Sequence, residues 1–110
     1  MAYDNKWLRR QYVGYNKKFF HDLLPADLSV TFGKIDDKVA GITYLDRDTK
    51  EAIAIIIDES LRSLGRYVKM VLLHEMAHVS VGFKERHLHG PLWKKERKRL
   101  IDAGAFTPLL

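Results

Sequence analysis

The run from residue 61 to residue 81 constrains this chain more than any other segment. It reads as one helix whose polar sector is narrow, made mainly of Arg66, Lys69 and Ser80. A helix that is apolar nearly all round belongs inside a core, so the remaining elements must pack around it. Yet this helix carries His74-Glu75-Met76-Ala77-His78. Polar groups on a buried helix are costly unless they have partners, and Val71, Leu72 and Ala77 surround the pentapeptide with apolar side chains.

The spacing indicates what the partner is. At 1.5 Å rise per residue, His74 and His78 lie about 6 Å apart along the axis and about 40° apart around it. Their imidazoles can converge on one ion. H-E-x-x-H on a helix is a zinc-binding pattern in which the glutamate serves as general base. Glu75 stands about 100° further round, too far to be a third helix ligand but near enough to reach a water at the metal. A catalytic zinc takes three protein ligands and keeps one position open. The downstream candidates are Glu85, His87, His89 and Glu96. His89 is preferred, because it immediately precedes Gly90-Pro91 in a segment that can fold back over the helix, and Gly90 permits close backbone approach. His87 is the rival. His21 reads as a histidine at the carbonyl end of a helix, not as a ligand. Val81 occupies the position where the metzincin pattern has glycine, which argues against that group.

The absence of cysteine excludes disulfides, thiolate metal sites and cysteine nucleophiles. At 110 residues the chain is expected to form a single domain spanning residues 1–110. It has no apolar leader, and its longest apolar run, residues 52–57, is too short to span a bilayer. A soluble cytoplasmic protein is expected.

The other elements follow from periodicity and punctuation. Residues 4–21 carry Trp7, Leu8, Gln11, Tyr12, Tyr15 and Phe19 at helical spacing, with Asp4 as N-cap and Pro25 beyond the end. Leu28, Val30 and Phe32 alternate with polar or small residues as in a half-buried strand. A turn at 36–38 leads to a strand at 39–45. A second turn at 46–50 leads to a strand at 52–57 that is apolar on both faces, as in the middle of a sheet. Gly82 ends the long helix. A last helix, 92–103, has Pro91 at its start and Gly104 past its end. Trp93, Leu100 and Ala103 are expected to face the core, and Lys94, Lys95, Arg97, Lys98 and Arg99 the other side.

Several segments together resemble the SprT-like family of zinc metallopeptidases, which includes the Spartan-type proteases. They are Tyr15-Asn16-Lys17-Lys18-Phe19-Phe20 with Leu24-Pro25, then Gly41-Ile42-Thr43 and Ile55-Ile56-Ile57-Asp58. The helix itself, Val71 to His78, and His89-Gly90-Pro91-Leu92-Trp93-Lys94 complete the set. The resemblance implies an α+β minimal zincin: an N-terminal helix, a three-stranded sheet, the H-E-x-x-H helix and a closing helix. It implies zinc held by His74, His78 and His89, with Glu75 as catalytic base. It also implies an endopeptidase acting on proteins, DNA-associated proteins among them. The chain has no cysteine-rich zinc ribbon.

The net charge is +5, which favours acidic partners. The basic run 94–99 is the candidate DNA contact, through phosphates and without sequence reading. The alternative to an enzyme is a non-catalytic, zinc-containing nucleic-acid-binding or regulatory module. Tyr44 and Tyr67 are candidates, by residue type alone, for stabilising an oxyanion.

Overall fold

The computed structural model describes residues 2–36, 38–84 and 89–110. Helix α1 (Asn5–Phe19) begins where expected: the Asp4 carboxylate accepts from the Trp7 N–H at 2.8 Å, satisfying one of the unpaired donors of the first turn. The face it buries carries Leu8, Tyr12, Asn16 and Phe19. The polar members of α1 hold the connection to the sheet. Asn16 Nδ2 donates to the Leu24 carbonyl at 3.0 Å, and the Leu24 N–H donates to Asn16 Oδ1 at 3.1 Å. Tyr12 donates its hydroxyl proton to the Pro25 carbonyl at 2.6 Å, and Arg9 donates to the carbonyls of Ala26 and Leu28. A loop that packs against a core needs its backbone groups paired, and here one helix supplies the partners. His21 lies past the helix end at Phe20, with φ of 54°.

The sheet has three strands in the order β1-β3-β2. Strand β1 (Ser29–Gly33) runs parallel to β3 (Ala52–Asp58), and β2 (Gly41–Leu45) runs antiparallel to it. The β2–β3 turn is closed by Asp46, whose carboxylate accepts from the N–H groups of Asp48 and Thr49. The turn expected at 36–38 includes Asp37, which lies outside the described residues.

Register places Val30, Phe32, Ile55, Ile57, Gly41 and Thr43 on one face, and this face meets the helices. Strand β3 is the middle strand, as its isoleucines implied. Burial on both its faces is not found. Ile55 and Ile57 are fully buried, but Ala54 and Ile56 on the reverse face are only half-buried, and Ile53 at the strand's start is 52% exposed. The fold has two layers, so only one sheet face is fully covered.

The long helix is shorter than its periodicity suggests. Residues Glu59–Leu61 form a separate 3-10 turn, and α2 runs Gly65–Val81. The N-terminal segment packs against the break. Tyr3 and Arg62 exchange two hydrogen bonds, from the Tyr3 N–H to the Arg62 carbonyl at 2.9 Å and from Arg62 Nε to the Tyr3 carbonyl at 2.8 Å. The Tyr3 ring then lies so close to Gly65 that a Cβ there would stand 2.6 Å from it. Helix α2 buries Val68, Val71, Leu72, Leu73, Met76, Ala77 and Val81, as a core helix should. Gly82 ends it with φ of 58°.

Helix α3 (Pro91–Asp102) has Gly90 as N-cap and proline in its first turn. Trp93 and Leu100 face the core, but Ala103 is exposed. Gly104, at φ of 83°, turns the chain there, so Ala105 and Leu109 fill the core beyond it. Three helices on a mixed three-stranded sheet make this an α+β fold. Among the described residues no helix is long and apolar enough to cross a membrane.

The Asn16 clamp gives the first test. Asn16→Ala leaves the Leu24 N–H and carbonyl buried without their partner, which costs about 1–3 kcal/mol per unsatisfied group. Urea unfolding should show a loss of roughly 2–4 kcal/mol, and an unchanged midpoint would remove this clamp from the account.

Candidate metal centre

Helix α2 projects His74 and His78 from consecutive turns toward a groove. His89 comes to the same place from the residue before the N-cap of α3. Its Nε2 lies 3.1 Å from Nε2 of His74 and 3.1 Å from Nε2 of His78. A neutral imidazole nitrogen has one proton or one lone pair, so His89 Nε2 cannot satisfy both neighbours by hydrogen bonding. Three lone pairs directed at a shared cation resolve the conflict, and ligand atoms of the three histidines lie close enough together to hold a metal ion. Glu85 and His87 lie outside the described residues. Glu96 is turned elsewhere: it accepts from Ser80 Oγ at 2.5 Å and pairs with Arg99.

The backbone of His89 is in the left-handed region, with φ of 58°, at a cost of about 1–2 kcal/mol for a residue with a side chain. The residue next to it is not strained. Gly90 has φ of −75°, a value open to any residue, so its own backbone angle does not require glycine.

The glycine that does matter is Gly41. A Cβ on it would stand 2.9 Å from Val71 Cγ1 and 3.1 Å from Glu75 Cγ. Its absence lets β2 press against α2 at the level of Glu75. Thr43, two residues along the same face, then donates its hydroxyl proton to Glu75 Oε1 at 2.8 Å. Glu75 is buried, at 6% exposure, with Oε2 3.9 Å from His74 Nε2. A glycine inside a strand marks close backbone approach, so that part was detectable in the sequence. Nothing in the sequence pairs Thr43 with Glu75.

Trp93 is the other residue whose role the sequence concealed. It is core, as expected, but its ring also backs all three histidines, with centroids 4.8 Å from His74, 5.4 Å from His78 and 4.4 Å from His89. An aromatic residue on an amphipathic helix gives no sign of whether it packs on leucines or on imidazoles.

Burial shapes the titration of the site. It is the main cause holding His78 down, to about 4, helped by the charges of His74 and His89. His74 is lowered chiefly by burial too, then by His89 and Arg97. Glu75 is raised by burial, with the Thr43 hydrogen bond opposing. Burial thus favours in His74 and His78 the neutral form that can donate a lone pair to a metal.

The groove above these residues has a volume of about 1180 Å³. Its walls include residues 39–43 of the β2 segment on one side and Trp93, Lys94 and Arg97 of α3 on the other. Tyr67 lines it. Tyr44 does not: it falls on the reverse face of the sheet and is 46% exposed.

The model of the SprT-like family matches residues 8–107. The chain belongs to the SprT-like family. Comparison with curated proteins finds no match. Membership in this family associates the fold with metallopeptidase-like domains, and the histidine cluster gives the domain a place for a metal ion.

The depressed histidines predict a pH profile. The unfolded chain takes up protons at its histidines near 6.5, whereas folded His78 takes one up only near 4. The unfolded state therefore binds more protons in that window, and stability falls as pH falls through it. The raised Glu75 works in the opposite direction, so the measurement belongs in metal-free Glu75→Gln protein. Its unfolding free energy should decline from pH 7 toward pH 4, and adding His78→Asn should flatten the slope. A slope unchanged by His78→Asn would contradict the assignment.

Proposed function

We propose that this protein is a zinc-dependent endopeptidase in which His74, His78 and His89 hold the metal and Glu75 is the general base. The observation that carries the reading is the convergence of three imidazoles beside a buried carboxylate, at the floor of a groove bordered by the edge strand β2. Three nitrogen ligands without cysteine suit zinc with an open fourth position. The 3.1 Å separations of His89 Nε2 from the ring nitrogens of His74 and His78 would let the three histidines hold one such ion together. When bound there, zinc supplies Lewis acidity toward a carbonyl oxygen and makes a water easier to deprotonate near neutral pH.

The residues of the chain supply the rest. Strand β2 is at the sheet edge. The Asp58 N–H donates to the Ala40 carbonyl at 2.9 Å. The antiparallel alternation then turns the backbone groups of residues 42 and 44 toward β3 and those of Gly41 and Thr43 outward. An extended polypeptide can pair with those outward groups as an added strand, which draws its backbone over the three histidines. Glu75 removes a proton from the attacking water as the water oxygen bonds to the carbonyl carbon. It then delivers that proton to the amide nitrogen as the C–N bond breaks. Thr43 holds one oxygen of Glu75, which leaves the other toward the groove. Tyr67, on the groove wall, is the better placed of the two tyrosines to meet an oxyanion.

DNA-associated proteins are included as substrates through the cations that α3 leaves exposed outside the groove. Lys95 is one, and Lys98 is another, although it pairs with Asp102 at 2.8 Å.

The test is a cleavage assay on unstructured protein with zinc, with chelator, and with or without DNA. Zinc-loaded parent should cut, and chelation should abolish cutting. Glu75→Gln should keep one equivalent of zinc by metal analysis while losing at least about 100-fold in rate, the lower range of general-base contributions. A Glu75→Gln protein that binds zinc and cuts at the parental rate would refute the base assignment.

A further inference from the structure

We propose that the groove selects polypeptides carrying an aspartate or glutamate beside the scissile bond, recognised by Arg97 and Lys94. This rests on the endopeptidase reading and adds a substrate class to it.

The groove lining is largely apolar. Among the described residues, and apart from the three histidines and buried Glu75, its charged residues are Lys94 and Arg97. Both stand on α3, three residues apart, and such residues share a helix face. Two other cations on that helix, Lys98 and Arg99, have partners within the protein. Lys98 pairs with Asp102, and Arg99 pairs with Glu96 while donating to the Phe19 carbonyl. Among the described residues no carboxylate pairs with Lys94 or Arg97.

Arg97 is also fixed in place. Its guanidinium carbon lies 5.2 Å from the centre of the Trp93 ring, and that same ring touches all three histidines. One aromatic side chain therefore separates this cation from the metal centre. Stacking on an aromatic face pre-orders the planar fork of an arginine, and that fork matches a carboxylate by two parallel hydrogen bonds. A strand paired to β2 would lie between β2 and α3, with side chains near the scissile bond within reach of this wall. A carboxylate there meets two cations, and a lysine or arginine is repelled by the same pair. Nucleic acid is the other polyanion to consider. The far wall opposes it, being largely apolar, and Trp93 is buried, at 5% exposure, so it offers no open face for a base.

The experiment uses labelled extended peptides identical except for one position, scanned across the centre and occupied by Glu, Gln or Lys. Binding is read by fluorescence anisotropy on metal-free parent and on zinc-loaded Glu75→Gln. Cut sites made by zinc-loaded parent in an unstructured protein are mapped by mass spectrometry. Expected are about tenfold tighter binding of the best Glu peptide than of its Lys counterpart at low salt, a gap that narrows at high salt, and cut sites enriched in flanking acids. Arg97→Gln should remove about threefold of that preference, in line with one exposed ion pair. Lys94→Glu combined with Arg97→Glu should reverse it, a gain that damaged folding cannot mimic. Peptides bound and cut without regard to charge, in parent and variants alike, would overturn this inference and leave the endopeptidase reading intact. Acid-selective binding with no cleavage would sink the endopeptidase reading and uphold the charge assignment. Charge reversal that weakens single-stranded DNA binding while peptide preference stays the same would assign these cations to nucleic acid and overturn the proposal.

Discussion

The close approach of β2 to α2 at Gly41 is the constraint on which the rest of the site depends. One missing methyl group allows a strand to lie against the helix at the turn that carries Glu75. Thr43, on the same face two residues on, is thereby brought within hydrogen-bond distance of the carboxylate. The same placement sets the edge strand β2 along the groove, so the Glu75 carboxylate and that edge are positioned by one contact. Were β2 displaced outward to accommodate a side chain at residue 41, the carboxylate would lose its partner and the edge would move away from the histidines together. Position 41 therefore couples two features that are separate in chemical role.

The electrostatics of the centre follow from this tight packing. Burial pushes His74 and His78 toward neutrality and Glu75 toward protonation, so each of these groups is held away from its charged form. A bound cation would reinforce the first shift and invert the second: it takes neutral imidazoles as ligands and favours a nearby carboxylate in its ionised form. The half-buried His74 and His78 imidazoles and the buried Glu75 carboxylate are costly to pack at the groove floor, and an ion would offset part of that cost.

The legible parts of the sequence were those governed by local periodicity and by punctuation. Asp4, Gly82, Pro91 and Gly104 mark element ends through backbone chemistry that acts within a few residues, and the structure places those ends within a few residues of the expected positions. Residues 61–64 were not legible because their partner is distant in sequence: Tyr3, some sixty positions away, bonds to Arg62 and packs against Gly65. Ala103 failed because a left-handed glycine redirects the chain, and only the fold shows which residue then fills the core. In the site, the His74–His78 pair is written into one helix. The contact of Thr43 with Glu75 and that of Trp93 with the imidazoles arise from packing between elements, which no local pattern encodes.

His89 depends on both kinds of information. It belongs to no regular element, and its left-handed backbone is tolerated because the helix that follows is anchored elsewhere. Ser80 and Arg99 both bond Glu96, and Arg99 continues to the Phe19 carbonyl, so α3 is tied to α2 and to the end of α1. That tie fixes the angle at which Trp93 meets the imidazoles and at which the chain enters α3. Two of the converging nitrogens need only a helix, whereas the third needs three helices to have docked. The cluster is therefore complete only in the folded protein. An ion bound by all three histidines would consequently stabilise the junction of α1, α2 and α3 against opening, and not the α2 helix alone.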